Sequence, residues 1–348
     1  MRSAWASVAA LARFAFRHQV GRWPLFFLLV VLCLAARAPE SATLPADDAL
    51  SRASLRALAR QDVWSTLFVF APLFLLRAAE LGRARAQAWF AGTPSGSLER
   101  ALGLAFGCGL ANLLTVALVA LAAELSAGPA GEAWSLVREV STPETLLTDQ
   151  APRARWNLPP LAEGERLRLR PSLALGAGPS TAVRLTLGSP DCPVSAERWL
   201  AGRTALELDV PTNAAPDAAL ALDLERTGPG ALLYFPAGLQ VLARAPSEHA
   251  TAWILGGALA LWWTALSCLS LGLARALRPA LATTLVSVLF LASLGRSNWL
   301  PGSELPRLWE QLGDGLIPLP VSLAGVVGAL LFAGVGVALA CLRAEEAA

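Results

Sequence analysis

The chain has 348 residues, of which 55% are hydrophobic and 16% charged, and its mean hydropathy is +0.52. This composition is too apolar for a soluble globular protein and predicts a membrane protein. The formal net charge of +2 gives no indication of a nucleic-acid partner, and all 28 basic residues are arginine, which excludes a P-loop lysine or a lysine base.

The N-terminal residues 1–21 place large apolar side chains and basic side chains at nearly helical spacing. Trp5, Leu11 and Phe14 alternate with Arg13 and Arg17. The pattern predicts an amphipathic helix that lies on the inner leaflet of the membrane. A cleaved signal peptide, with residues 23–36 as its apolar core, is the alternative interpretation.

Six apolar segments predict six transmembrane helices. The first two are shorter than the roughly 20 residues that a span requires, so they must recruit flanking residues, with Arg22, Arg37 and Arg77 reaching to the interface. The segments are residues 23–36, 63–76, 101–123, 250–274, 279–295 and 315–342.

The arginines fall mainly on one side of this topology. Short basic loops stay in the cytoplasm, so both termini are predicted to be cytoplasmic in a multi-pass protein of the bacterial inner membrane. Arg52, Arg56 and Arg60 lie on the other side and are interpreted as a short interfacial helix outside. The cytoplasmic basic residues are Arg2, Arg13, Arg17, Arg22, Arg77, Arg83, Arg85, Arg100, Arg275, Arg278 and Arg343.

Residues 128–249 separate the third and fourth segments and are much more polar. Leu206 and Leu208 alternate with Glu207 and Asp209, as in a strand with one buried face. Regular short strands with turns between them predict an all-β sandwich outside the cytoplasm, between residues 1–127 and residues 250–348. The alternating runs are residues 166–175, 181–187, 205–210, 219–224 and 231–242.

Small residues in the apolar segments indicate where helices approach each other. Gly103 and Gly107 lie one turn apart in the third segment, and Gly325 and Gly328 lie in the sixth. Small residues let helix backbones come close, so helix packing is expected at both places, within the chain or between two copies.

Asn112 is the clearest polar residue within an apolar segment. It predicts either an interhelical hydrogen bond or a position on a substrate pathway. Trp262 and Trp263 are interpreted as anchors at the membrane–water interface.

No catalytic pattern is recognisable in the sequence. The two histidines, His18 and His249, are far apart, and Cys192 is the single cysteine in the polar region. Neither the spacing of a zinc site nor a nucleophile elbow occurs. The chain is therefore predicted not to be an enzyme and to hold no metal or cofactor.

A loop between the second and third apolar segments resembles a known family. After a charged run, an aromatic pair is followed by Gly92, Thr93 and Pro94, which break the helix, and then by a glycine-containing helix. This order is similar to permease subunits of type-2 ABC exporters. The matching residues are Glu80 to Arg85, Trp89-Phe90-Ala91-Gly92-Thr93-Pro94-Ser95 and Ala101-Leu102-Gly103.

The resemblance implies that this loop docks on a separate ATPase subunit of an exporter that contains two permease subunits. Trp89 and Phe90 would then be the apolar anchors, and Arg83, Arg85 and Arg100 would pair with carboxylates at the rim of the contact.

Two other hypotheses remain. Lipopolysaccharide-export permeases resemble the chain in architecture, because they also carry an external β-domain between helices three and four. This chain lacks a lysine like the one in their first helix. The third hypothesis is a membrane protein that does not transport and uses its β-domain as an external sensor.

Overall fold

The computed structural model of the chain divides it into two compact units. One comprises Met1–Gly131 with Ser247–Ala348, and the other is Glu132–Pro246. The structure describes residues 2–21, 49–83, 96–127, 133–161, 164–169, 172–174, 180–189, 192–201, 206–209, 220–227, 232–236, 238–245, 250–294, 300–313, 316–318 and 320–342.

The first unit is helical, as expected for apolar sequence, because in a bilayer a helix satisfies its backbone hydrogen bonds internally. A two-residue strand, β12 (Leu316–Ile317), is also part of this unit. Its helices are α1 (Arg2–Val20), α2 (Ala49–Gly82), α3 (Ser97–Ala127), α4 (Ala250–Leu273), α5 (Pro279–Ser293), α6 (Leu305–Gly313) and α7 (Leu323–Leu342).

Four stretches of the described helices are long and apolar enough to cross a membrane. They are Arg60–Gly82 in α2, Ser97–Leu125 in α3, Trp253–Leu273 in α4 and Leu323–Cys341 in α7. Helix α5 is apolar but has only 15 residues. These helices indicate a membrane protein. The predicted first span, residues 23–36, lies outside the described residues, so the number of six spans stays a prediction.

Helix α2 differs from the sequence expectation on the N-terminal side of its span. The stripe of Arg52, Arg56 and Arg60 does not form a separate interfacial helix, because α2 runs without interruption for 34 residues. Between Ala49 and Asp62 the sequence is rich in alanine, leucine and arginine and contains neither glycine nor proline. These good helix formers let the helix continue into the span.

Helix α7 begins eight residues later than the apolar run suggests. Pro318 and Pro320 keep the chain extended before it, and β12 precedes them. The amide nitrogen of Gly325 donates to the Ser322 hydroxyl at 3.1 Å, which caps the helix. The sequence analysis also missed the short amphipathic helix α6.

The core of the helical unit forms around α4, which is the most enclosed of the four long helices. Trp262 and Trp263 are 0% and 3% exposed and pack in one cluster with Trp64 and Leu67 of α2. The interpretation of this tryptophan pair as interfacial anchors is therefore wrong. Trp253, at the start of α4, is 82% exposed.

The second unit is all β. Its described strands are arranged in three sheets, with the neighbour orders β1-β11-β4-β8, β2-β10-β5 and β3-β9-β6-β7, and the pairs are antiparallel. The strands are β1 (Ala133–Val140), β2 (Thr145–Leu147), β3 (Arg153–Leu158), β4 (Glu165–Leu169), β5 (Ser172–Ala174), β6 (Ser180–Ser189), β7 (Cys192–Ala201), β8 (Leu206–Asp209), β9 (Leu220–Arg226), β10 (Leu232–Phe235) and β11 (Leu239–Ala245).

Side chains from all three sheets meet in one core of this unit. Trp156 of β3 packs edge to face on Phe235 of β10, with 5.7 Å between ring centroids. The Trp156 indole nitrogen donates to the Thr145 hydroxyl at 3.1 Å. The alternation of β9 places Leu222 and Leu224 in the core, as strand periodicity requires.

Two of the predicted strand runs are divided in the structure. Residues 231–242 form β10 and β11, with Gly238 between them at a φ of +101°, a value that favours glycine. Its amide nitrogen donates to the Thr142 hydroxyl at 3.0 Å. Residues 166–175 likewise divide into β4 and β5. Strands β1, β2, β3 and β7 were not predicted.

We predict that residues 132–246, produced alone, fold into a β protein whose stability depends on Trp156. Trp156→Ala removes a side chain that is only 4% exposed and should lower the free energy of unfolding by about 3–5 kcal/mol. Urea unfolding followed by circular dichroism measures this. The control Val137→Thr, at a 51% exposed position, should change stability by less than about 0.5 kcal/mol. A spectrum dominated by helix, or equal effects of the two variants, would contradict the assignment.

Candidate functional site

The central part of the predicted coupling loop lies outside the described residues. This applies to Arg85, Trp89, Phe90, Gly92, Thr93 and Pro94. The structure does describe the two helix ends from which the loop departs: Arg83 follows the end of α2, and α3 begins at Ser97.

The end of α2 is held against two other helices. Gly82 lies so close to α4 that an added Cβ would be 3.2 Å from the Ala274 Cβ. On the side of α1, the Glu80 carboxylate lies 3.5 Å from His18 Nε2 and 3.9 Å from the guanidinium of Arg77. The first stem of the loop therefore cannot shift without displacing α1 or α4.

The start of α3 is also part of a packed cluster. Ala101 and Leu104 are each 1% exposed and contact a cluster that contains Leu271 of α4 and Ala340 of α7. Arg100, which precedes Ala101, has its amide bonded to the Gly96 carbonyl at 3.1 Å. The second stem is thus joined to α4 and α7.

Gly103 and Gly107 face α1 rather than another long apolar helix. A Cβ on Gly103 would lie 2.6 Å from the Cβ of Leu11, and one on Gly107 would lie 2.5 Å from the Cβ of Ala15. Such distances do not occur between real side chains, so glycine is required for this crossing.

This contact changes the interpretation of α1. Its apolar side was expected to rest on the inner leaflet, but Leu11 and Ala15 are buried against protein. The exposed side carries Trp5 and Phe14, which are 72% and 43% exposed, together with basic residues. Sequence periodicity finds such a helix but does not tell whether protein or lipid covers its apolar face.

The packing of α7 on α4 includes a pair of glycines that the sequence analysis missed. A Cβ on Gly272 would lie 3.0 Å from the Leu339 Cβ, and one on Gly336 would lie 2.5 Å from the backbone nitrogen of Leu269. Gly325 and Gly328 are buried within α7. The signal in the sequence was the Ala-Gly-x-Gly run that ends at Gly336.

Asn112 connects α3 with α4. It is 1% exposed, and its side-chain nitrogen donates to the Ser267 hydroxyl at 3.1 Å. One turn earlier, Cys108 accepts a hydrogen bond from the Gln19 side chain at 3.4 Å. Asn112 therefore makes an interhelical hydrogen bond, and its role in a substrate pathway stays a prediction.

Away from the loop, a partly buried ion pair joins α2 and α3. Arg60 is 7% exposed and lies 3.4 Å from the Glu124 carboxylate. The neighbouring Gln61 donates to the Trp309 carbonyl of α6 at 3.4 Å. Removal of one member of a buried pair leaves an uncompensated charge, so this contact fixes α2 and α3 relative to each other.

A buried carboxylate lies at the start of α7. Glu304 is 5% exposed, accepts from the Ser322 amide at 3.1 Å and from the Ser322 hydroxyl, and pairs with Arg307 at 2.8 Å. Glu304 directly precedes α6, so these contacts connect the start of α6 with the start of α7.

The β unit carries a charged concavity on the outer face of its β3-β9-β6 sheet. Arg153 pairs with Glu225 at 2.7 Å, Arg184 lies 3.6 Å from the same carboxylate, and Arg155 lies 3.7 Å from Asp223. Cross-strand pairs of opposite charge stabilise a sheet. Within the described ranges, no group of three His, Cys, Asp or Glu side chains has the arrangement of a metal site.

Comparisons with protein-family models, curated proteins and solved structures find no match to this chain.

We predict that Gly107→Ala weakens the helical unit whereas Gly257→Ala does not. A Cβ at position 107 collides with α1, and overpacking of this kind costs roughly 1–3 kcal/mol. A Cβ at position 257 meets no atom within 4 Å, so the higher helix propensity of alanine should leave α4 equally or slightly more stable.

The thermal unfolding midpoints of the purified full chain in detergent measure the difference. Equal midpoints for the two variants would show that α1 does not depend on the glycine crossing.

Proposed function

We propose that the chain is the membrane-spanning permease subunit of an ABC-type exporter, which moves a substrate across the bacterial inner membrane with ATP hydrolysed by a separate subunit. The observation that carries the proposal is the fixation of both stems of the loop between residues 83 and 97. The stem at Gly82 is packed on α4, and the stem at Ala101 is packed on α4 and α7.

A permease without its own ATPase must receive mechanical force through a contact with its partner. Protein interiors are close-packed and transmit displacement. A partner that pushes on the loop would therefore move α2 and α3 together with α4, which lies at the centre of the helical core. A loop attached to loosely packed helix ends would not couple in this way.

The composition of the loop suits a protein contact. Trp89 and Phe90 are large apolar side chains next to polar residues, as in the buried anchors of interfaces. Arg83 is exposed and, with Arg85 and Arg100, would supply positive charge for carboxylates of the ATPase subunit. The turn between α4 and α5 is much shorter than this loop.

The proposed membrane orientation follows from the positions of the arginines along the sequence. Both termini and the loop are on the cytoplasmic side, and the β unit is outside, with six spans in each of two permease subunits. A lipid path inside the β unit receives no support from its described core, because Trp156, Phe235 and leucines fill it.

The double variant Trp89→Ala, Phe90→Ala tests the coupling loop. Loss of a buried aromatic anchor costs on the order of 2 kcal/mol, or roughly thirtyfold in affinity. We expect wild-type protein extracted from membranes to copurify with an ATPase subunit and the double variant to lose it. The matched control is Trp5→Ala, which removes an exposed aromatic side chain from α1 and should retain the ATPase.

The unfolding midpoint of each purified variant shows whether it is folded. A folded double variant that retains its ATPase at the wild-type yield would remove the loop as the coupling element. Wild-type protein that captures no ATPase would favour a membrane protein with an external sensing domain.

A further inference from the structure

Helix α1 has an outer face on which arginine lies between aromatic side chains. Trp5 and Phe14 are 72% and 43% exposed, and Arg13 and Arg17 are exposed as well. With 3.6 residues per turn, the two arginines project between the two aromatic side chains around the helix axis. We call these four residues the arginine face of α1.

The positive charge of the arginine face is not balanced within the described residues. In that part of the chain, Arg13 and Arg17 make no ion pair and no hydrogen bond from their side chains, and α1 itself contains no acidic residue. Glu80 is a carboxylate that reaches α1, but it lies against His18. The two exposed charges therefore suit an anionic partner.

The contact of α1 with α3 indicates the depth of this face. Leu11 and Ala15, on the opposite side of α1, pack on Gly103 and Gly107. These glycines lie inside the uncharged run 101–123, and at 1.5 Å per residue they are roughly 3 and 9 Å from its start. The start of an uncharged span lies where the acyl chains meet the headgroups. The arginine face is therefore at the height of the headgroup layer.

Both residue types on this face suit that layer. Aromatic rings enter the boundary between headgroups and acyl chains, and an arginine side chain can rest its apolar stem on lipid while its guanidinium reaches a phosphate group. Anionic headgroups attract such basic surfaces. A soluble protein would have to enter the headgroup layer to cover this face, so a lipid surface is favoured as the partner.

We propose that the arginine face of α1 binds the headgroups of anionic phospholipids. Arg13 and Arg17 contact the phosphate groups, and Trp5 and Phe14 enter the lipid on either side of them. Helix α1 is then held by α3 on one side and by anionic lipid on the other. This binding does not depend on whether the chain couples to an ATPase.

A photoreactive residue within the face identifies what covers it. We would replace Ala10, an exposed residue one turn before Arg13 and Phe14, by p-benzoylphenylalanine in the full chain. The protein is reconstituted into vesicles of four parts phosphatidylcholine and one part phosphatidylglycerol and is then irradiated. Mass spectrometry of the protein gives the ratio of the two lipid adducts, which is compared with the composition of the vesicle.

We expect phosphatidylglycerol to be enriched among the adducts at position 10. Arg13→Gln and Arg17→Gln should each lower this enrichment by up to about fivefold, because each removes one positive charge from beside an anionic surface. Arg278→Gln removes the same charge from an exposed position outside α1 and should leave the enrichment unchanged. The photoreactive residue at Leu330, which is 59% exposed on α7, should attach the lipids in their vesicle proportions.

Three results in vesicles would overturn the proposal. They are adducts at position 10 that follow the vesicle composition while both arginines are present, no lipid adduct there although position 330 gives one, and equal enrichment in all three glutamine variants. Because the three arginines are exposed, each variant should keep the thermal unfolding midpoint of the parent chain.

Irradiation in native membranes distinguishes a lipid surface from a protein partner. The proposal predicts that phospholipid is the main product at position 10 and that anionic lipid is again enriched. A crosslinked protein as the main product would assign the arginine face to a protein contact and would contradict the lipid assignment.

Discussion

The helical unit depends on the close approach of helix backbones at glycine. In a bilayer the hydrocarbon around a helix is as apolar as its side chains, so helices associate through close van der Waals contact and hydrogen bonds rather than through the hydrophobic effect. Gly107 lets α1 pack closely on α3, Gly272 and Gly336 let α7 pack closely on α4, and Gly82 lets the end of α2 pack closely on α4. Gly82 is the last residue of α2, and Gly272 is the residue before the last of α4. A rigid base for the loop is therefore a consequence of the same packing.

Polar contacts then determine which helix meets which. Asn112 with Ser267 joins α3 to α4, Arg60 with Glu124 joins α2 to α3, and Glu304 holds the start of α7. Asn112, Arg60 and Glu304 are buried, and a polar group in such surroundings is costly unless its partner is in place. The β unit also carries charge pairs at its surface. Pairs such as Arg155 with Asp223 are exposed on a sheet face, where each contributes little to stability, and the core of leucine, Trp156 and Phe235 stabilises the fold.

The sequence analysis found the features that depend on the local spacing of apolar residues or on local composition. Alternation identified β9 and β6, and apolar runs identified the long stretches of α2, α3, α4 and α7.

Other features depend on tertiary context. The burial of Trp262 and Trp263 follows from the central position of α4, which no local pattern reveals, because a tryptophan pair near an apolar segment suits a headgroup region equally well. Strand β3 has charged residues at alternate positions and was missed, although Trp156 makes it part of the core. The proposed roles of Trp89 and Phe90 rest on the family resemblance and on the composition of the loop.

The proposed orientation is the premise that the coupling loop and the external β unit share, and cysteine accessibility measures it most directly. In a cysteine-free background, single cysteines replace Gly96, where an added Cβ meets no atom within 4 Å, or Gln150, an exposed residue of the β unit. Intact cells permeable only at the outer membrane are treated with a membrane-impermeant maleimide, and the inner membrane is then opened. The proposal predicts that the cysteine at 150 is labelled in intact cells and that the cysteine at 96 is labelled only after the inner membrane is opened. Labelling of both positions from the same side would contradict it.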